Sequence, residues 1–152
     1  MRIGQRAKEK VHGNVPAPPR RHLGQVKMTI AHHSSSATED GEIIYLGNPA
    51  GLLITAEEKT VYHAGDTALF MDMKLIGEST KLKFAALCVG DNFTMGPDDA
   101  VKAAEFIRCN EILGVHYDTF PPIKIDHAAA KEKFKAAGKR LHLLQPGDTH
   151  DF

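Results

Sequence analysis

The chain has 152 residues, a length that suits one domain and leaves little room for two. Hydrophobic residues make up 42% and charged residues 25%, close to the globular average, which excludes extended disorder as the main state. The 19 lysines and arginines are balanced by 19 aspartates and glutamates, for a net charge of zero. A nucleic-acid binder usually carries a basic excess, so no nucleic-acid partner is expected. No apolar run reaches the roughly 18 residues of a membrane span. Met1 to Lys10 is charged and lacks the apolar core of a signal peptide. The expectation is a soluble, cytoplasmic protein with no membrane partner.

Residues 1–24 hold Val15-Pro16-Ala17-Pro18-Pro19 and show no sustained period, which predicts an irregular connector ahead of a domain at 25–152. Val26 to Ile30 alternates like a half-buried strand. A polar loop follows from His32 to Gly41, and Ile43 to Leu46 forms a short strand stopped by Gly47-Asn48-Pro49. Leu52 to Thr55 and Thr60 to His63 flank Glu57-Glu58-Lys59 as a hairpin. Asp72 to Glu78 predicts a short helix, and Phe84 to Val89 a buried strand. Gly96-Pro97-Asp98-Asp99 has the proline and acidic residues of a first helical turn. Behind it Ala100, Ala103, Ala104 and Ile107 follow the i, i+3, i+4, i+7 template. Ile112 to Val115 is a strand ending at His116. Asp126 to Ala137 is a helix with Asp126 as N-cap and Gly138 beyond its end. Leu141 to Leu144, with the residues after Gly147, completes the strands. Strands alternating with helices give an α/β layered domain.

Cys88 and Cys109 are the only cysteines, with no C-x-x-C pair, and read as two buried thiols. The nine histidines are the more informative excess. His33, Asp66 and His116 each sit at a strand end or just beyond one, where α/β sheets gather functional groups. Two imidazoles and a carboxylate suit zinc or a similar divalent ion. No pair lies at a local ligand spacing, so by spacing alone structural hydrogen bonding competes with metal binding.

Four longer runs add to this. Tyr45-Leu46-Gly47-Asn48-Pro49-Ala50-Gly51, Tyr62-His63-Ala64-Gly65-Asp66-Thr67, Gly90-Asp91-Asn92-Phe93-Thr94-Met95-Gly96-Pro97 and His116-Tyr117-Asp118-Thr119-Phe120-Pro121-Pro122 stand in order behind His33-Ser34-Ser35. Together they resemble the bacterial and archaeal metal-dependent hydrolases of metallo-β-lactamase fold that are related to the ascorbate-6-phosphate lactonases, over about residues 25 to 150. The resemblance implies the C-terminal portion of an αββα sandwich. It makes Asp66 a carboxylate bridging two metals, His33 the third histidine of the first site and His116 the histidine of the second. Asp66 and His116 are then the catalytic residues. His32 rivals His33, but its position in the resemblance is apolar or aromatic. His63, Thr67, Asp91 and Asn92 become neighbours that orient ligands or line the pocket, or else they stabilise turns. Asp118 stands where the resembling sequences often carry asparagine.

The cofactor implied is a pair of divalent ions, zinc first, with manganese or iron as alternatives. Metal-activated hydroxide would attack an ester, lactone, amide or phosphoester in a small-molecule substrate. The family's His-x-His-x-Asp-His loop does not occur here. Met1 falls downstream of where that loop belongs, so the expectation is a truncated chain that is inactive alone. A non-catalytic remnant and an interaction module remain as alternatives, and an exposed sheet edge would allow a homo-oligomer. If histidines are ligands they bind as neutral imidazoles, so metal affinity should fall below about pH 6.5, the ordinary histidine value. Calorimetric titration with zinc from pH 8 to pH 5 checks this, and a flat affinity excludes histidine ligation.

Overall fold

The computed structural model describes residues 24–152. All of the expected connector except Gly24 therefore lies outside the described residues. In chain order the elements are β1 (Gln25–Ile30), β2 (Ser36–Glu39), β3 (Glu42–Tyr45), β4 (Ala50–Ala56), β5 (Lys59–His63), α1 (Met73–Ser79), β6 (Leu82–Cys88), α2 (Pro97–Phe106), β7 (Glu111–Val115), α3 (His127–Ala136) and β8 (Arg140–His142). A six-stranded sheet runs β1-β4-β5-β6-β7-β8, and β2 pairs with β3 apart from it. β1, β4 and β5 are antiparallel neighbours, whereas β5 to β8 are parallel. Parallel neighbours need crossovers, and α1, α2 and α3 supply them.

Strand alternation divides this sheet into two faces. Leu53, Tyr62, Ala85, Ile112 and Leu141 are register partners in one row across β4 to β8, and all are buried. They join Ala100, Ala103, Ala104 and Ile107 of α2 and Ala130 and Phe134 of α3 in one core. The small alanines let α2 lie close to the sheet. α3 starts where the Asp126 carboxylate accepts the Ala128 and Ala129 N–H groups at 2.9 and 3.0 Å. Lys133 on α3 reaches Asp98 on α2 at 2.5 Å.

The other face carries a second row, Met28, Leu52, His63, Ala86, Leu113 and His142. At its β1 end Val26, Met28 and Ile30 are 59%, 69% and 52% exposed. At the β8 end the C-terminal tail lies against it. Phe152 stacks on Phe84 with centroids 4.1 Å apart, and the His150 ring lies 4.2 Å from that of His142. This apolar face is where a sandwich places its second sheet.

Three expectations differ from the structure. β1 is not half-buried, because Val26, Met28 and Ile30 lie on the sheet face that no described helix covers. The loop from His32 to Gly41 contains β2, which turns into β3 through Asp40 and Gly41 at φ 50° and 84°. Asp-Gly with positive φ at both positions is the type I′ hairpin signal, present in the sequence but masked by the serines before it. The residues after Gly147 form no strand, because ring stacking on the sheet face, rather than ladder hydrogen bonds, holds the tail. Among the described residues no helix is long and apolar enough to cross a membrane.

Both cysteines are free and buried. Burial pushes the Cys109 thiol up to about 11, so at pH 8 the nucleophilic thiolate is scarce. Neither cysteine should react with a thiol reagent at pH 8 in the native state, and both should react in guanidinium chloride. Rapid native labelling would show that the core opens readily.

Candidate metal centre

Topology brings the candidate residues to one end of the sheet. β5, β6 and β7 run parallel and end together, delivering Asp66, the Asp91-Asn92 pair and His116 to one edge. β1 runs in the same direction as β5, because each is antiparallel to the β4 between them. Its C-terminal end therefore carries His32 and His33 to the same side.

Asp66 follows a turn whose shape is enforced. Gly65 has φ +68°, and a Cβ there would stand 2.6 Å from the Ala50 carbonyl oxygen. Only glycine tolerates both conditions. The Gly65 N–H donates to Nδ1 of His63 at 3.0 Å, so the exposed His63 ring braces the turn that presents Asp66. Nδ1 is the acceptor in that contact.

Thr67 is the only polar residue among the buried ones described, at 0% exposure. Its hydroxyl accepts the His32 N–H at 2.8 Å and donates to the Ala68 carbonyl at 2.8 Å. Its carbonyl accepts the Met95 N–H at 3.0 Å and the Cys88 thiol at 3.4 Å. Ala68 N–H returns to the His32 carbonyl at 3.0 Å. One residue thus joins the loops after β1, β5 and β6.

His116 has φ +56°, in the left-handed region that non-glycine residues rarely adopt. Asp91, Asn92 and Asp118, at φ 63°, 56° and 61°, share that strain. Such outliers cluster where surrounding structure over-determines a functional loop. Gly90 passes so close that a Cβ there would sit 2.1 Å from the His116 carbonyl oxygen. Asp91 Oδ1 accepts the Asn92 N–H at 2.8 Å, and the Asn92 side-chain amide donates to the Pro122 carbonyl.

The His116 Nε2 lies 3.7 Å from Asp66 Oδ2, while its Nδ1 is buried with no hydrogen-bond partner among the described residues. That separation exceeds a hydrogen bond. Two ligand atoms, each about 2.0 to 2.2 Å from one zinc ion, stand roughly 3 to 4 Å apart. Asp66 and His116 therefore fit a shared metal as a pair. His33 does not join them: its Nδ1 lies 2.9 Å from the carbonyl of Ser34. Among the described residues no group of three His, Cys, Asp or Glu side chains converges closely enough to hold an ion.

Asp118, beside His116, does not add a free charge to the site. Its carboxylate pairs with His127 Nε2 at 2.5 Å and accepts the Ile125 N–H at 3.1 Å, and these bonds hold its pKa below the ordinary value. This rivet between the loop and α3 carries no signal in the sequence, because its partners lie seven and nine residues away with no periodic pattern.

Residues 5–117 match the family model described as the beta-lactamase superfamily domain. The chain belongs to this family. A metal-dependent hydrolase of Bacillus pumilus is 52% identical over 130 residues, covering 84% of this chain and 56% of that protein. One of a Geobacillus species is 60% identical over 105 residues, covering 68% and 46%. A solved metallo hydrolase of the hyperthermophilic archaeon Ignicoccus hospitalis superposes with a TM-score of 0.73 at 37% identity, over 85% of this chain and 54% of its own. The chain thus spans about half the length of the curated relatives it matches. Its mixed sheet with a parallel core is that of the metallo-β-lactamase fold.

Replacing Thr67 with valine leaves the His32 N–H without its acceptor, and should cost about 1 to 3 kcal/mol in urea unfolding. Thr67→Ser should recover most of that. A Thr67→Val protein as stable as the parent would remove Thr67 from its place between the loops.

Proposed function

We propose that this chain contributes part of the dinuclear centre of a metal-dependent hydrolase, with Asp66 as the shared carboxylate and His116 as ligand to the second ion. The approach of His116 Nε2 to Asp66 Oδ2, on a strained loop at the strand ends, is the observation that supports it. His33 is proposed as ligand to the first ion, reached by turning its ring from the Ser34 carbonyl. Zinc fits this nitrogen and oxygen set, with manganese or iron as alternatives. The ions, when bound, supply Lewis acidity toward water and toward the scissile bond of an ester, lactone, amide or phosphoester.

The chain's own residues hold that arrangement in place. His63 braces the Asp66 turn, Thr67 fixes the loops on either side, and Asp91 and Asn92 hold the loop that abuts His116. Two convergent ligands are fewer than the three protein ligands of a typical catalytic zinc. The reading is therefore that the 152-residue chain binds metal loosely and is inactive alone. The remaining ligands come from a His-x-His-x-Asp-His segment of the kind the resemblance implies.

Zinc or manganese titrated into the chain should bind weakly, and Asp66→Ala should weaken it about tenfold or more. Adding the N-terminal half of the Bacillus pumilus relative should raise both metal affinity and turnover of an ester or lactone. Unchanged metal affinity in Asp66→Ala, or chelator-sensitive turnover by the chain alone, would overturn the reading.

A further inference from the structure

The rim of this site carries two aromatic rings that the core does not use. Phe93 lies on the loop after β6 and Phe120 on the loop after β7, 57% and 41% exposed. Their centroids are 5.9 Å apart at an interplanar angle of 35°, a tilted aromatic pair in contact. Both loops are tied to the residues proposed to hold metal. Met95, two residues past Phe93, donates its N–H to the carbonyl of Thr67 beside Asp66. Phe120 stands four residues past His116, in a turn closed by Asp118 N–H to the Ile123 carbonyl at 2.9 Å and Ile123 N–H to the Phe120 carbonyl at 3.1 Å. The Asn92 amide bridges the two loops at Pro122. The rings thus meet as a tilted pair and stand exposed on backbone that has little freedom, which lowers the ordering cost of a ligand laid against them.

Charge around the rim narrows the ligand further. The stretches 31–35, 64–72, 90–97 and 116–123, which form this end of the sheet, contain no lysine or arginine. Asp66 and Asp91 are exposed there. Recognition of a phosphate group ordinarily uses a cationic side chain, above all a forked guanidinium. Among the described residues of these stretches the charged side chains are carboxylates beside histidines, so the only strong cations for a phosphate here would be the bound ions themselves.

We propose that Phe93 and Phe120 form a cradle beside the metal centre for the flat apolar group of an uncharged acyl substrate, an aryl-bearing ester, lactone or amide rather than a phosphoester. This rests on the hydrolase reading above and narrows its substrate class. The paired rings offer that group an exposed aromatic face on loops at the same strand ends as Asp66 and His116.

The chain has no tryptophan, so the fluorescence of a naphthalene probe can be followed without interference. With no metal added, N-methyl-1-naphthamide should bind the 152-residue chain more tightly than 1-naphthyl phosphate. Phe93→Ala and Phe120→Ala should each weaken naphthamide binding about 3- to 10-fold, the worth of one aromatic contact. Phe93→Leu and Phe120→Leu, which keep apolar volume for folding, should fall between. Met28→Ala on the apolar sheet face should leave the affinity unchanged. Equal affinity in the alanine or leucine variants and the parent, loss in Met28→Ala alone, or tighter binding of the phosphate would overturn the cradle. The readout needs neither metal nor turnover. Naphthamide binding that depends on both rings in a chain that never binds zinc would keep the cradle and sink the hydrolase reading. Zinc binding through Asp66 with naphthamide indifferent to both rings would do the reverse.

Discussion

The hydrogen bonds of Thr67 are the constraint on which the site depends. A hydroxyl removed from water must find partners inside the fold, or its burial costs a few kcal/mol. Here it takes the His32 N–H and gives its proton to Ala68, while the same residue's carbonyl takes the Met95 N–H. Three loops that leave three different strands are thereby held to one residue. Asp66 precedes it in the chain and inherits its position. Without that tie, the loop after β1 would keep the Ala68 N–H bond to the His32 carbonyl and the loop after β6 the Asn92 bridge to Pro122, but the two loops would lose their shared residue.

Strain is the complement of this network. Asp91, Asn92, His116 and Asp118 all occupy left-handed backbone, at about 1 to 3 kcal/mol each. Aspartate, asparagine and histidine enter that region more readily than other side chains, and the Asp91 Oδ1 bond to the Asn92 N–H supports it locally; the close pass of Gly90 at the His116 carbonyl and the Asp118–His127 pair complete it. The core offsets the cost. Tyr62, Leu87, Ile112 and Phe134 are fully buried between the sheet and its helices, and burying each large apolar side chain contributes about 1.5 to 3 kcal/mol. A rigid layer on one face thus supports a strained edge at the strand ends, the usual relation of scaffold to site in α/β domains.

The two faces of the sheet differ in how completely they are served. The helix face is closed, with α1, α2 and α3 shielding a continuous row from Leu53 to Leu141. Among the described residues the opposite face keeps Val26, Met28, Ile30 and Ile54 exposed and is covered near β8 by the C-terminal tail. The strand-end edge shows the same incompleteness, with Asp66 and His116 approaching each other and no third His, Cys, Asp or Glu converging on them among the described residues. Both are consistent with a chain that spans about half the length of its relatives.

Much of this was legible in the sequence because it rests on local rules. The strand at β1, the spacing of Ala100, Ala103, Ala104 and Ile107, and the Asp126 cap depend on neighbours within one or two turns, and each element stands where expected, although the apolar residues of β1 are exposed rather than half-buried. Long motifs around Asp66 and His116 pointed to the family for the same reason: each is a continuous run of chain. What only the tertiary structure decided is everything that joins distant segments. Sheet order alone sets Asp66 beside His116, fifty residues on, and register alone aligns Met28 with Leu52 and Leu52 with His63. The partners of Thr67, the rivet of Asp118 to His127 and the tilt of Phe93 toward Phe120 obey no period. A sequence records preferences over a few residues, whereas contacts across strands follow from how the whole sheet packs and twists, and there the chemistry of this edge is assembled.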